Sequence, residues 1–192
     1  NEVVIEKFKA ITGIKERRYI NDDQTVVDIA IEAAKKTILD AKIDQESIDY
    51  IIVAHNVGDI TLNSNQVNTL PSLASKVKAG LNIKSPDCVA YDILFGCPGW
   101  VEGVIQATAF IKAGMAKKCL VLGADTLSRV LDHSDRDSMI YADGAGASMI
   151  EASKCKGGIL SHKTVTYTSE GEADFIFYGP SNDKGKGTKY IK

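Results

Sequence analysis

The chain has 192 residues, 44% of them hydrophobic and 25% charged, enough for a single domain with a sizeable core. A formal net charge of −2 with no basic stripe argues against nucleic acid as the main partner. No apolar run approaches the length of a membrane span, and the opening Asn1-Glu2-Val3-Val4-Ile5-Glu6-Lys7 is no signal peptide, so a cytoplasmic protein with no membrane partner is expected.

Residues 1–24 hold an amphipathic start, then Thr12-Gly13-Ile14-Lys15-Glu16-Arg17-Arg18-Tyr19, a turn and a charged, strand-like stretch. Thr25 is expected to cap a helix whose apolar face is Val26, Val27, Ile29, Ala30, Ala33, Ala34 and Ile38, fading near Ala41. Asp49 to Ala54 is a continuous apolar run, of the kind buried on both faces of a parallel sheet. A polar loop follows from Asn56 to Thr69, with Asn63, Asn65 and Asn68, and Pro71 then opens a helix that reaches Gly80.

The stretch that organises the chain runs from Val89 to Ala113. Val89 to Leu94 read as a short buried strand, Gly96 permits a bend, and Pro98 suits a first helical position. Val101, Val104, Ile105, Thr108 and Ile111 then keep a helical spacing up to Gly114. Lys118 to Leu122 is another buried strand, ending at Gly123-Ala124-Asp125. A polar segment, Asp132 to Asp137, holds His133 and Arg136; Tyr141 to Ala147 leads into the apolar Ser148-Met149-Ile150. Gly157 to Thr168 alternates like an edge or antiparallel strand, Gly171 to Gly187 reads as a loop, and Lys189 to Lys192 look like the start of a further element. Strands alternating with helices predict a layered α/β domain with a mostly parallel sheet.

Cys97 is the candidate for chemistry. Strand, sharp turn, cysteine, helix places one thiol at the positive end of a helix axis, where unpaired N–H groups favour a thiolate nucleophile. A buried free cysteine is the plain alternative, and a redox-sensing thiol is a third reading that requires Cys97 to be open to solvent. The four cysteines (Cys88, Cys97, Cys119, Cys155) form no CxxC pair and no metal-ligand spacing with the histidines, so no metal is expected. Three of the four sit inside or beside apolar runs, which suits a reducing compartment. Asp143-Gly144-Ala145-Gly146-Ala147 reads as structural: glycines for tight packing beside the Cys97 helix, and an aspartate to bond neighbouring N–H groups. No Lys-Ser/Thr follows it, so a phosphate loop is a poor reading.

Asp92 to Trp100 around Cys97, Thr12 to Arg17, Leu120 to Asp125, Arg136, and Asp143 to Ala147 together resemble, in order and separation, the amino-terminal half of β-ketoacyl-acyl carrier protein synthase III. The resemblance implies a thiolase-like α/β fold, helices on both faces of the sheet, with residues 1–192 as one half of a duplicated fold and the first strand and the carboxy-terminal half absent. It implies an acyltransferase of fatty acid or related lipid biosynthesis. An acyl group passes from acyl-CoA to Cys97 and is then condensed, with decarboxylation, with malonyl-acyl carrier protein. The Cys97 backbone N–H becomes one oxyanion donor. The family's histidine and asparagine fall outside the chain, and His55, His133 and His162 read as ordinary histidines rather than substitutes.

By the same resemblance Leu70 lines the acyl pocket of a neighbouring subunit, and Arg136 lies on the adenine side of CoA. Each also has a plain structural role, Leu70 as a helix-entry packing residue and Arg136 as a solvated loop charge paired with Asp135 or Asp137. Lys7 and Ile11 stand where the family often has an aromatic residue and an arginine that grip the adenine, and Phe-Gly-Cys-Pro-Gly-Trp departs from the commoner Ala-Ala-Cys-Ser-Gly-Phe, which points toward a specialised acyl donor. Acyl-CoA is implied as substrate, with no permanently bound cofactor, the acyl carrier protein as partner, and a homodimer paired through a central strand. The alternatives are a non-catalytic interaction half and a specialised condensing enzyme of secondary metabolism.

Overall fold

The computed structural model describes residues 2–64, 66–154, 158–184 and 189–192. Asn65, Cys155, Gly157 and Gly187, which figure in the readings above, lie outside them.

The chain opens with a helix, α1 (Glu2–Thr12), which leaves Val3, Ile5 and Ile11 exposed. The charged stretch that follows is not a strand. It runs beside the sheet without pairing as one, pinned by Arg17, whose Nε and Nη2 donate to the carbonyls of Met139 (3.1 Å) and Ile140 (2.6 Å). Thr25 caps α2 (Val26–Ala41) as expected: its N–H and hydroxyl both donate to Asp28 Oδ2, at 2.7 and 2.9 Å.

Four strands make the main sheet: β1 (Tyr50–His55), β2 (Val89–Leu94), β3 (Lys118–Thr126) and β4 (Asp143–Glu151), in the order β2-β1-β3-β4. β1 runs parallel to both β2 and β3, while β4 returns antiparallel to β3, so the sheet is mostly parallel. Helices α2 and α3 (Leu73–Gly80) cover one face, with Val26, Ala30, Ile51, Val53, Val77 and Leu122 in the core between. Helix α4 (Gly99–Lys112) covers the other, over Ile52, Cys119 and Val121. Two central strands buried on both faces explain their unbroken apolar sequences.

Several expectations need correction. Helix α3 starts two residues beyond Pro71, because Ser72 Oγ accepts from Ser75 N at 3.1 Å and acts as its N-cap. β2 is the edge of the sheet rather than a buried strand, and Val89 and Leu94 at its ends are exposed. In α4 Pro98 takes the N-cap position, and the fully buried stripe is Gly99, Gly103 and Ala107 rather than one including Val101, which is exposed. Small residues win that stripe because the helix lies so close: a Cβ on Gly103 would stand 2.7 Å from Val121 Cγ1, and one on Gly99 2.9 Å from Ala54 Cβ. Gly114, at φ +75°, ends the helix as read from the sequence, its N–H donating to Ile111 O and that of Met115 to Phe110 O.

Gly144 and Gly146 sit within β4, and a Cβ at either would meet nothing within 4 Å, so they serve no tight packing. Asp143 does bond neighbouring N–H groups, those of Ile20 and Ser128, each at 2.9 Å. Residues 158–168 form no strand; all are exposed, and an alternating pattern with no face to bury gains nothing from extension. The loop from Gly171 onward holds a short strand, β5 (Tyr178–Pro180), paired antiparallel with β6 (Lys189–Ile191).

The β5–β6 pair is tied to the domain by the Ile191 N–H to Val130 O bond, by Asp135, which accepts from Lys192 Nζ at 2.9 Å, and above all by a buried carboxylate. Asp132 accepts from Lys192 Nζ (2.7 Å), Asn182 N (2.7 Å), Ser181 Oγ (3.0 Å) and Ser134 N (3.1 Å). Burial opposes its ionisation, but the Lys192 ammonium and the N–H donors outweigh it and hold the carboxyl well below the usual carboxylate range. A depressed carboxyl contributes stability that is complete above its unfolded value, about pH 4, and is lost as pH falls below it. Wild type is therefore expected to melt above Asp132→Asn at neutral pH, with the gap closing below about pH 4, as followed by circular dichroism. For α4, Gly103→Val should cost about 1–3 kcal/mol in chemical denaturation through overpacking against Val121, whereas Val101→Ala, at an exposed position, should cost only about 0.5 kcal/mol or less.

Candidate active site

The parallel strands β2, β1 and β3 all end at the same edge of the sheet, where open α/β sheets place their ligand sites. Beyond β2 the chain turns through Phe95, Gly96 and Cys97, with Phe95 N–H donating to His55 O and Gly99 N–H to Gly96 O. Cys97 thus lies outside the helix, immediately before the N-cap of α4, and is exposed. Gly96 needs neither positive φ nor free space; a side chain there would meet only ordinary contacts, including Asn56 Oδ1 at 3.8 Å.

Cys97 opens on a cleft of about 290 Å³ whose lining includes Ala54 of β1, Trp100 of α4, Ala124 and Asp125 of β3, and Ala142 and Asp143 at the start of β4. The other two described cysteines face the core. Burial pushes the Cys88 thiol up, and takes Cys119, with a smaller contribution from Asp49, up to about 11. Only Cys97 of the described cysteines has access to a reaction partner.

Around the cleft, two adjacent residues at the end of β1 hold two carboxylates on the flanking strands. Asn56 donates from its backbone N to Asp125 Oδ1 (2.9 Å) and from Nδ2 to Oδ2 (2.7 Å). Burial raises the Asp125 carboxyl, and these bonds only partly offset it. His55, 3% exposed, faces Asp92 Oδ2 through Nε2 at 3.2 Å. Asp92 also accepts from Leu73 N and Ala74 N, both at 2.7 Å, at the start of α3. Burial works against its charge, yet the bonds from His55, Ala74 and Leu73 hold it below the usual range. Tyr141, whose phenol is raised by burial and by its nearness to Cys97, completes the surroundings.

The other residues singled out by sequence are not brought to this cleft. Leu70 stands 84% exposed on the loop before α3. Arg136 is exposed, its Nε 3.4 Å from Asp137 Oδ1. His133 lies edge-on to Tyr19, and His162 is exposed outside any strand. Asn56, Asp125, Trp100 and Tyr141 were missed as cleft neighbours; position just past the carboxyl end of a parallel strand was the available signal for Asn56. Among the described residues no group of His, Cys, Asp and Glu could hold a metal ion.

A family model for 3-oxoacyl-[acyl-carrier-protein (ACP)] synthase III matches residues 91–168, the stretch holding Cys97 and its cleft. β-Ketoacyl-[acyl-carrier-protein] synthase III 1 of Vibrio parahaemolyticus is 40% identical over 182 residues, covering 94% of this chain and 53% of that protein. The chain is a relative of the β-ketoacyl-acyl carrier protein synthases III. The crystal structure of the synthase III from Pseudomonas aeruginosa superposes with a TM-score of 0.75 at 25% identity over 97% of this chain and 54% of that one. That from Aquifex aeolicus gives 0.67 at 36% identity, over 78% and 46%. The fold is thiolase-like, and the chain spans about half the length of the synthase III relatives it matches.

Asn56→Ala removes one of the donors that favour the charged form of Asp125. The Asp125 carboxyl is expected to titrate higher still in that variant, as measured by carbon-detected NMR across pH 3 to about 8.

Proposed function

We propose that the chain is the amino-terminal, nucleophile-bearing half of a β-ketoacyl-acyl carrier protein synthase III type acyltransferase, with residues 1–192 as one thiolase-like half. The observation that carries this reading is the place of Cys97: an exposed thiol at the approach to α4, on the carboxyl edge of parallel strands, opening on a cleft. The Cys97 thiolate attacks the thioester carbonyl of acyl-CoA, forming a carbon–sulfur bond. The bond to the CoA sulfur breaks, CoA leaves as a thiolate and takes up a proton, and the acyl group stays on Cys97. The Cys97 N–H serves as one oxyanion donor, beside the positive end of α4.

In the following step malonyl-acyl carrier protein loses carbon dioxide. Its carbanion attacks the acyl carbonyl, the new carbon–carbon bond forms, and Cys97 is released as thiolate. The histidine and asparagine of that step are assigned to residues outside this chain, so the chain alone is expected to stop at the acyl-enzyme. No permanently bound cofactor is needed. Leu70, exposed ahead of α3, is available to line a neighbouring subunit's acyl pocket, and Arg136 to meet the adenine side of CoA. The outer edge of β2, unpaired among the described residues, supports a homodimer joined strand to strand. A cytoplasmic setting accords with the free thiols, and no described helix is long and apolar enough to cross a membrane.

The exposure of Cys97 also favours a second reading, an oxidisable regulatory thiol on a non-catalytic half. Intact-mass spectrometry after incubation with acyl-CoA distinguishes the two. The folded wild type is expected to gain one acyl group, mapped to Cys97, and Cys97→Ala none. A folded wild type that takes up no acyl group, yet oxidises at Cys97 under mild peroxide, would establish the second reading instead.

A further inference from the structure

We infer that His55 and Asp92 are positioning residues for the Cys97 turn: the buried imidazole fixes a carboxylate that in turn holds the strand leading to the nucleophile. The inference rests on the proposed acyl transfer but has a readout of its own.

β2 has a strand partner on one side only among the described residues, and its last residue, Leu94, is 74% exposed. The turn beyond it is lightly anchored, by a 3.4 Å bond from Phe95 N to His55 O and a 3.1 Å bond from Gly99 N to Gly96 O. The firm point is Asp92, five residues ahead of Cys97. Its Oδ1 accepts from Ala74 N and its Oδ2 from Leu73 N, so the carboxylate also ties β2 to the start of α3.

The His55 ring is set from its other side. Gly58 N–H donates to Nδ1 at 2.9 Å, so Nδ1 carries no hydrogen and Nε2–H is left to donate to Asp92 Oδ2 at 3.2 Å. With His55 buried at 3% exposure, water is poorly placed to replace either bond. The direction of the ring is therefore determined by the loop after β1, and it passes to the backbone that ends in Cys97. A misplacement of about 1 Å at a reacting atom can cost on the order of a hundredfold in rate, so small slack here is costly.

The two ring nitrogens can be tested apart. His55→Gln keeps a donor near the Nε2 position, His55→Asn keeps an acceptor near Nδ1, and Asp92→Asn weakens the other partner should a His55 variant fold poorly. Two measurements are made below each variant's melting temperature: the Cys97 acylation rate against acyl-CoA concentration, and hydrogen exchange at the Phe95 and Gly99 amides, the two that bond within the turn. His55→Asn and Asp92→Asn are expected to lower the limiting acylation rate about tenfold or more while the half-saturating acyl-CoA concentration moves less than about twofold. Exchange at the two amides should quicken about tenfold in the same variants, and His55→Gln should recover most of both. Melting temperatures that fall while acylation and amide exchange stay at wild-type values would overturn the inference and leave a purely structural pair. If the wild type takes up no acyl group, the proposed function fails, and amide exchange alone decides the positioning role.

Discussion

The closeness of α4 to the sheet is the constraint on which the carboxyl edge depends. Gly99 against Ala54 and Gly103 against Val121 let the helix axis settle where any side chain would hold it off. That approach fixes where the helix begins, and the turn from β2 has only Phe95 to Pro98 in which to reach it. A thiol in so short a connection has few places to be. Its exposure at the mouth of the cleft is thus a result of packing two turns further along.

The same edge shows how neighbouring carboxylates can be shifted in opposite directions. Asp92 and Asp125 sit on the strands either side of β1, each bonded by one of two consecutive residues. Both are disfavoured as anions by burial. Asp92 gains the N–H groups at the start of a helix, whose partial positive charge reinforces the bonds, and its acidity increases. Asp125 has Asn56, an amide with no net charge, and its carboxyl is raised above the usual range. Both the charge character of the donors and the deeper burial of Asp125 separate the two.

Much of this layout was legible in the sequence. The apolar runs read at 49–54 and 118–122 became β1 and the first part of β3, and they, the Thr25 cap and the Gly114 stop each act locally, through burial on both faces or a backbone conformation. The strand-turn-cysteine-helix order carried Cys97 to its exposed place for the same reason. What failed depended on neighbours. Val101 looks like core by spacing, but the contact stripe of α4 was decided by the distance to Val121, which favours glycine. β2 looks buried by composition, but its place in the strand order made it the rim. Alternation over 158–168 had no surface to match, and the short β5 depends on pairing with β6 and on the bonds of Ser181 and Asn182, just beyond it, to a distant Asp132. His55 read as an ordinary histidine because nothing in the sequence announces that Asp92 faces it across the sheet.

The contrast among the thiols has a practical side. With Cys88 and Cys119 sealed in the core and made weaker acids by it, a maleimide or a fluorophore iodoacetamide meets one sulfur among the described residues. Among the described cysteines a spectroscopic label is therefore directed to the cleft where a reporter is most wanted, with the two core sulfurs out of reach while the fold holds.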